Sequence, residues 1–152
     1  MKRTRQEASS SVAEAGDIAI ARPWARIGTR TAGIIGGYFT VANRGSERDR
    51  LLSAASPAAA TVEIHAIKVV GPDIRMQPLP DGVSIPPGTT IELKPRGYHL
   101  QLMALRQEPA VGAELLVTLV FERAGRVDLR LSVADSGLVG ADILDEEAHR
   151  GG

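Results

Sequence analysis

The residues best suited to chemistry in this chain of 152 are His65, Met76 and His99, and the chain has no cysteine to compete with them. Imidazole nitrogen combined with thioether sulfur is a selective donor set. Magnesium and calcium take hard oxygen ligands, and structural zinc takes thiolate or several imidazoles. Copper, above all Cu(I), accepts thioether together with imidazole. A thioether cannot pair into a disulfide, so the set also suits an oxidising compartment. The residue types thus predict a soft-metal site with His65, Met76 and His99 as ligands and copper as the ion. The remaining histidine, His149, falls in the acidic C-terminal tail and is read as incidental.

These side chains must be positioned by strands. Period-two alternation predicts strands at 17–22, 34–43, 50–55, 61–69, 73–77, 89–94, 97–104, 114–122 and 126–134. Turn chemistry separates them: Asn-Arg-Gly-Ser at 43–46, Gly-Pro-Asp at 71–73, Leu-Pro-Asp-Gly at 79–82 and Ile-Pro-Pro-Gly-Thr at 85–89. Short strands at this spacing, with no long helical period, predict an all-β antiparallel sandwich or barrel. In 97–103, Leu100 and Leu102 take the core side, and His99, Gln101 and Met103 take the other. In 61–69, His65 shares a face with Glu63, Ile67 and Val69. Glu63 and Glu92 read as solvated-face charges. The strands at 114–122 and 126–134 form the clearest hairpin, with Val127, Leu129, Leu131 and Val133 facing inward. Residues 1–16 read as a disordered leader, 17–140 as the domain and 141–152 as a flexible tail.

Composition narrows the function. Lys plus Arg and Asp plus Glu are both 18, a zero net charge that gives no basic footprint for nucleic acid. The absence of cysteine removes disulfides, iron–sulfur clusters and zinc ribbons, and also the thiolate that blue-copper electron transfer requires. No stretch approaches the roughly 18 apolar residues of a membrane span. The start, Met-Lys-Arg-Thr-Arg, is charged like the beginning of a signal peptide but lacks the apolar run of about 7–15 residues that follows in one. Either the protein is not exported by that route, or the chain is a mature portion whose signal peptide is not visible in it. Neither Gly-x-Ser-x-Gly nor His-Glu-x-x-His occurs, and an enzyme is not expected.

Longer stretches carry a family likeness. Val62-Glu-Ile-His65, Ile74-Arg-Met-Gln-Pro78, the run from Ile85 to Leu100 and Leu102-Met-Ala-Leu105 resemble the most characteristic segments of the periplasmic copper chaperones called PCu(A)C. The early Ala21-Arg-Pro-Trp-Ala-Arg26 and Gly37-Tyr-Phe-Thr-Val-Ala-Asn-Arg-Gly45 resemble it too, so the likeness covers about residues 17–135. That family carries a pattern of the form H-x10-M-x21-H-x-M on a cupredoxin-like sandwich. Here ten residues separate His65 from Met76 and 22 separate Met76 from His99, one more than the pattern.

The resemblance implies a Greek-key, cupredoxin-like sandwich that carries Cu(I) in the periplasm. Its recipients would be a cytochrome c oxidase subunit or another copper chaperone. It also exposes a departure. The family's last ligand is a methionine two residues beyond the second histidine, and Gln101 stands there. Met103 lies four residues from His99, roughly 13 Å along a strand rising about 3.3 Å per residue, so only a bulge would bring it in. The expected ligand set is three of the family's four. The alternative reading is a β-sandwich binding module that has lost its metal.

Overall fold

A computed structural model describes residues 11–27 and 33–135 of the chain. Among them there are strands and no helices. The strands are β1 (Ser11–Ala15), β2 (Ile18–Ile27), β3 (Ile34–Asn43), β4 (Asp49–Ala55), β5 (Ala59–Val70), β6 (Asp73–Pro78), β7 (Val83–Ile85), β8 (Thr90–Leu93), β9 (His99–Leu105), β10 (Glu114–Phe121) and β11 (Gly125–Asp135). Most strands follow the order β6-β5-β9-β3-β2-β11-β10-β4-β7, with β1 added on β2 and β8 on β3. The long sheet curls so that β4 packs near β5 without joining its ladder, closing a sandwich around one core.

Alternation explains which face looks inward. Val127, Leu129, Leu131 and Val133 of β11 are all buried, with Asp128 and Arg130 exposed between them. Leu100 and Leu102 of β9, Ile64 of β5 and Ile35 of β3 join the same core. The other face of β3, β9 and β5 therefore carries the odd-numbered side chains of β9, including His99.

The structure amends the sequence reading in four places. Strand β1 lies inside the segment read as a leader: Ser11–Ala15 pair antiparallel with β2, so the sheet begins before residue 17. Residues 1–10 and the tail at 141–152, with His149, lie outside the described residues. Strand β2 does not end at Arg22 but runs through Pro23 to Ile27. It does so because Arg22 takes a left-handed φ of 56°, and the register with β3 shifts between Ala21 and Trp24. That bulge accommodates the proline, which cannot donate to a ladder. A short strand at Val83–Ile85 escaped the reading. Finally the sheet is mixed, because β11 and β2 pair in parallel.

A candidate metal centre on the outer face

Strands β5 and β9 are antiparallel neighbours, and their register sets His65 directly opposite His99. Residues opposed across a ladder project from the same face, with Cβ atoms about 4.5–5.5 Å apart. The two imidazoles accordingly sit with ring centroids 5.6 Å apart, tilted by 55°. In the next row Glu63 faces Gln101, and beyond it Thr61 faces Met103. On the other side of β5, Met76 of β6 faces Ile67. His65 and Ile67 are two residues apart and share a face, so Met76 is a diagonal neighbour of His65. A diagonal separation of about 7–8 Å is within reach of long side chains. His65, His99 and Met76 thus occupy one face of one sheet.

Their environments differ sharply. His65 and His99 are 7% and 5% exposed, whereas Met76 is 55% exposed. The histidines are buried although they point away from the core, and aromatic rings from the neighbouring strands lie alongside His99. Tyr38 of β3, itself buried, lies 6.4 Å from the His99 ring and stacks at 4.6 Å on Trp24 of β2. Gly36 makes this possible: a Cβ there would overlap the Tyr38 hydroxyl, so the ring folds back over a position without a side chain. The adjacent Gly37 serves the opposite face, where a Cβ would press on Leu131 at 2.9 Å. The Gly-Gly-Tyr run therefore seats a ring on one side and a core leucine on the other.

Hydrogen bonds set the state of each imidazole. His99 Nδ1 lies 3.0 Å from the Gly97 carbonyl, which can only accept, so Nδ1–H donates and Nε2 keeps its lone pair. The Gln101 amide also bonds this imidazole. His65 Nε2 lies 2.9 Å from Glu63 Oε1, and a carboxylate likewise only accepts, so Nε2–H donates there. Its other nitrogen, Nδ1, is buried with no hydrogen-bond partner. The remaining buried polar side chains are tied to backbone. Asn43 donates to the Glu47 and Ile85 carbonyls, and Asp49 accepts from the amides of Arg50, Arg123 and Ala124. An orphaned buried acceptor costs about 1–3 kcal/mol, so it needs a reason.

Burial favours the neutral form of His99. Burial pushes its pKa below the ordinary imidazole value; the Gly97 carbonyl opposes this, His65 adds to it, Gln101 opposes and Arg26 adds again. Arg26 also hydrogen-bonds Tyr38, whose hydroxyl is nonetheless raised because burial outweighs the cation. A neutral imidazole with a free nitrogen is the form that binds metal.

The outer face therefore brings together His65 and His99 and puts Met76 on their side. It leaves Met103 two rows away, with no register shift in β9 between it and His99. Gln101 takes the position next to His99 and is engaged with that ring. Among the described residues no three His, Asp or Glu side chains converge as a ligand group. The sequence reading took Glu63 for a solvated charge and gave Tyr38 and Gly36 no part in the site. Glu63 had one usable signal, its two-residue spacing from His65 on a strand, which puts both on one face.

The mixed-topology β-sandwich defines a class of fold, and solved structures share it. The chain has the cupredoxin-like fold of PCuAC domains. It superposes on the "Copper-bound PCuAC domain from PmoF2" with a TM-score of 0.67 and 27% identity, over 80% of this chain and 96% of that one. The "Apo PCuAC domain from PmoF1" gives 0.68 and 26%, over 80% and 97%. The Cu(I)-bound DR1885 of Deinococcus radiodurans shares the fold at 0.62 and 18% identity, over 87% and 85%. Over residues 18–133 the sequence fits the model described as "Putative lipoprotein LpqE-like", and the chain belongs to that family. A curated relative, "Putative lipoprotein Lxx21020" of Leifsonia xyli subsp. xyli, is 27% identical over 122 residues, 80% of this chain and 72% of that protein.

Proposed function

We propose that this domain is a copper-binding chaperone that carries Cu(I) as cargo outside the cytoplasm, held by His65, Met76 and His99. The observation that supports it most is the buried, partnerless Nδ1 of His65, in a ring 5.6 Å from the His99 imidazole. A buried nitrogen with no protein partner beside a second imidazole fits an ion that supplies the missing contact. The likeness to a copper-bound PCuAC domain at 27% identity supports the choice of ion.

The donor set suits transfer. Two neutral imidazoles and one neutral thioether add no ligand charge, so Cu(I) is held less tightly than by thiolates. Met76 stands on β6, an edge strand exposed along its whole length, where an incoming ligand can displace it. The proposed recipient is a cytochrome c oxidase subunit or an intermediary chaperone, and the proposed place is the periplasm, in keeping with a lipoprotein family. No helix among the described residues is long and apolar enough to cross a membrane.

Anaerobic titration with Cu(I) against a competing chelator tests this reading. One ion bound per chain, lost in His65→Ala and His99→Ala, supports it. A second reading, a sandwich module without metal, is favoured by Gln101 in place of the expected thioether. Absence of competitive Cu(I) binding by the wild type would establish that alternative.

A further inference from the structure

Glu63 has a definite place in this site. Its carboxylate accepts the Nε2–H of His65 at 2.9 Å, while Gly97 accepts the Nδ1–H of His99 at 3.0 Å. The two imidazoles are therefore locked in opposite tautomers. The nitrogen left bare on His65 is Nδ1, and the one not committed to backbone on His99 is Nε2. We infer that Glu63 is a positioning residue, which fixes the His65 tautomer and ring so that the metal is met by Nδ1 of His65 and Nε2 of His99. This rests on the proposed copper site, and it names the atoms that site would use.

The geometry explains why a side chain must do this for His65 when backbone suffices for His99. His99 opens β9, and the chain just before it turns through Gly97, whose carbonyl faces back at the ring. His65 lies mid-strand in β5, where the neighbouring carbonyls are engaged in ladders with β6 and β9. The nearest free acceptor is then a side chain two residues away on the same face, and Glu63 is that residue. Without it, the proton could move to Nδ1 and close that lone pair. A carboxylate behind a ligating imidazole also raises its basicity.

The test uses the metal-free, 15N-labelled protein at about pH 8, above the ordinary imidazole pKa of about 6.5. Long-range proton–nitrogen correlation spectra read which nitrogen of each ring carries the proton. Wild type should show His65 protonated on Nε2 and His99 on Nδ1. Glu63→Ala should populate the Nδ1–H form of His65 and weaken Cu(I) binding roughly 10- to 100-fold, the usual cost of losing such a partner. Glu63→Gln keeps an acceptor oxygen and should retain both the tautomer and most of the affinity. On adding Cu(I), which is diamagnetic, the Nδ1 resonance of His65 should move. A wild-type His65 protonated on Nδ1 would overturn the inference. So would unchanged affinity in Glu63→Ala, or equal losses in the alanine and glutamine variants, which would assign the effect to charge. If the wild type takes up no Cu(I), the carrier reading fails while the metal-free spectra still decide the tautomer.

Discussion

Replacing Gln101 with methionine puts a thioether two residues from His99 on the ligand face, at the end of an unbranched side chain of similar length. The amide of Gln101 is a hard, weak donor toward Cu(I), and methionine replaces it with a soft one. A gain of about 1.4 kcal/mol corresponds to a tenfold lower Kd for Cu(I). Competition titration under anaerobic conditions reads this directly, with Met103→Leu as the companion variant. Met103 pairs with Thr61 and Ile34 in unbroken register, about 13 Å from His99 along the strand, so its loss should be nearly silent. Unchanged affinity in Gln101→Met together with a large loss in Met103→Leu would refute this reasoning.

Met76→Ala should weaken Cu(I) binding strongly yet shift folding stability by no more than about 0.5 kcal/mol, since Met76 is exposed; chelator competition and urea unfolding separate the two. His149→Ala should leave Cu(I) affinity unchanged in the same titration. Gly36→Ala should cost about 1–3 kcal/mol of stability, because the new Cβ drives the Tyr38 ring from its seat, and should redden the fluorescence of Trp24 stacked on it. Because burial lowers the folded-state pKa of His99, the unfolded chain binds more protons once pH falls below about 6.5. The stability from this group is complete above that pH and declines as pH drops toward the lowered value. His99→Gln should flatten that part of the urea-unfolding profile, and an unaltered slope would count against it.

Local pattern was legible wherever one strand face is core and the other is not. The reading of β3 at 34–43 and the inward row Val127, Leu129, Leu131 and Val133 needed only period-two alternation. The side of β9 on which His99 projects followed from the same parity. What sequence could not supply came from pairing distant in the chain. The opposition of His65 and His99 depends on the β5–β9 register, which nothing local in either strand sets. The ring of Tyr38 from β3 lies beside His99, and Trp24 from β2 lies beside Tyr38, so a face expected to be wet carries a row of rings drawn from separate strands. The passage of β2 across Pro23 depends on a bulge at Arg22, which a rule that proline breaks strands does not foresee. Glu63 looked like a solvated charge because half of that description is correct: its side chain is 44% exposed, yet one oxygen holds an imidazole.

The donor set is the centre of the account, and X-ray absorption at the copper edge of the Cu(I)-loaded protein reads it most directly. The account predicts a three-coordinate Cu(I) spectrum with one sulfur and two imidazole nitrogens, the sulfur disappearing in Met76→Ala and one imidazole in His65→Ala. A spectrum of nitrogen and oxygen scatterers alone, or a sulfur that persists in Met76→Ala and vanishes in Met103→Leu, would contradict it.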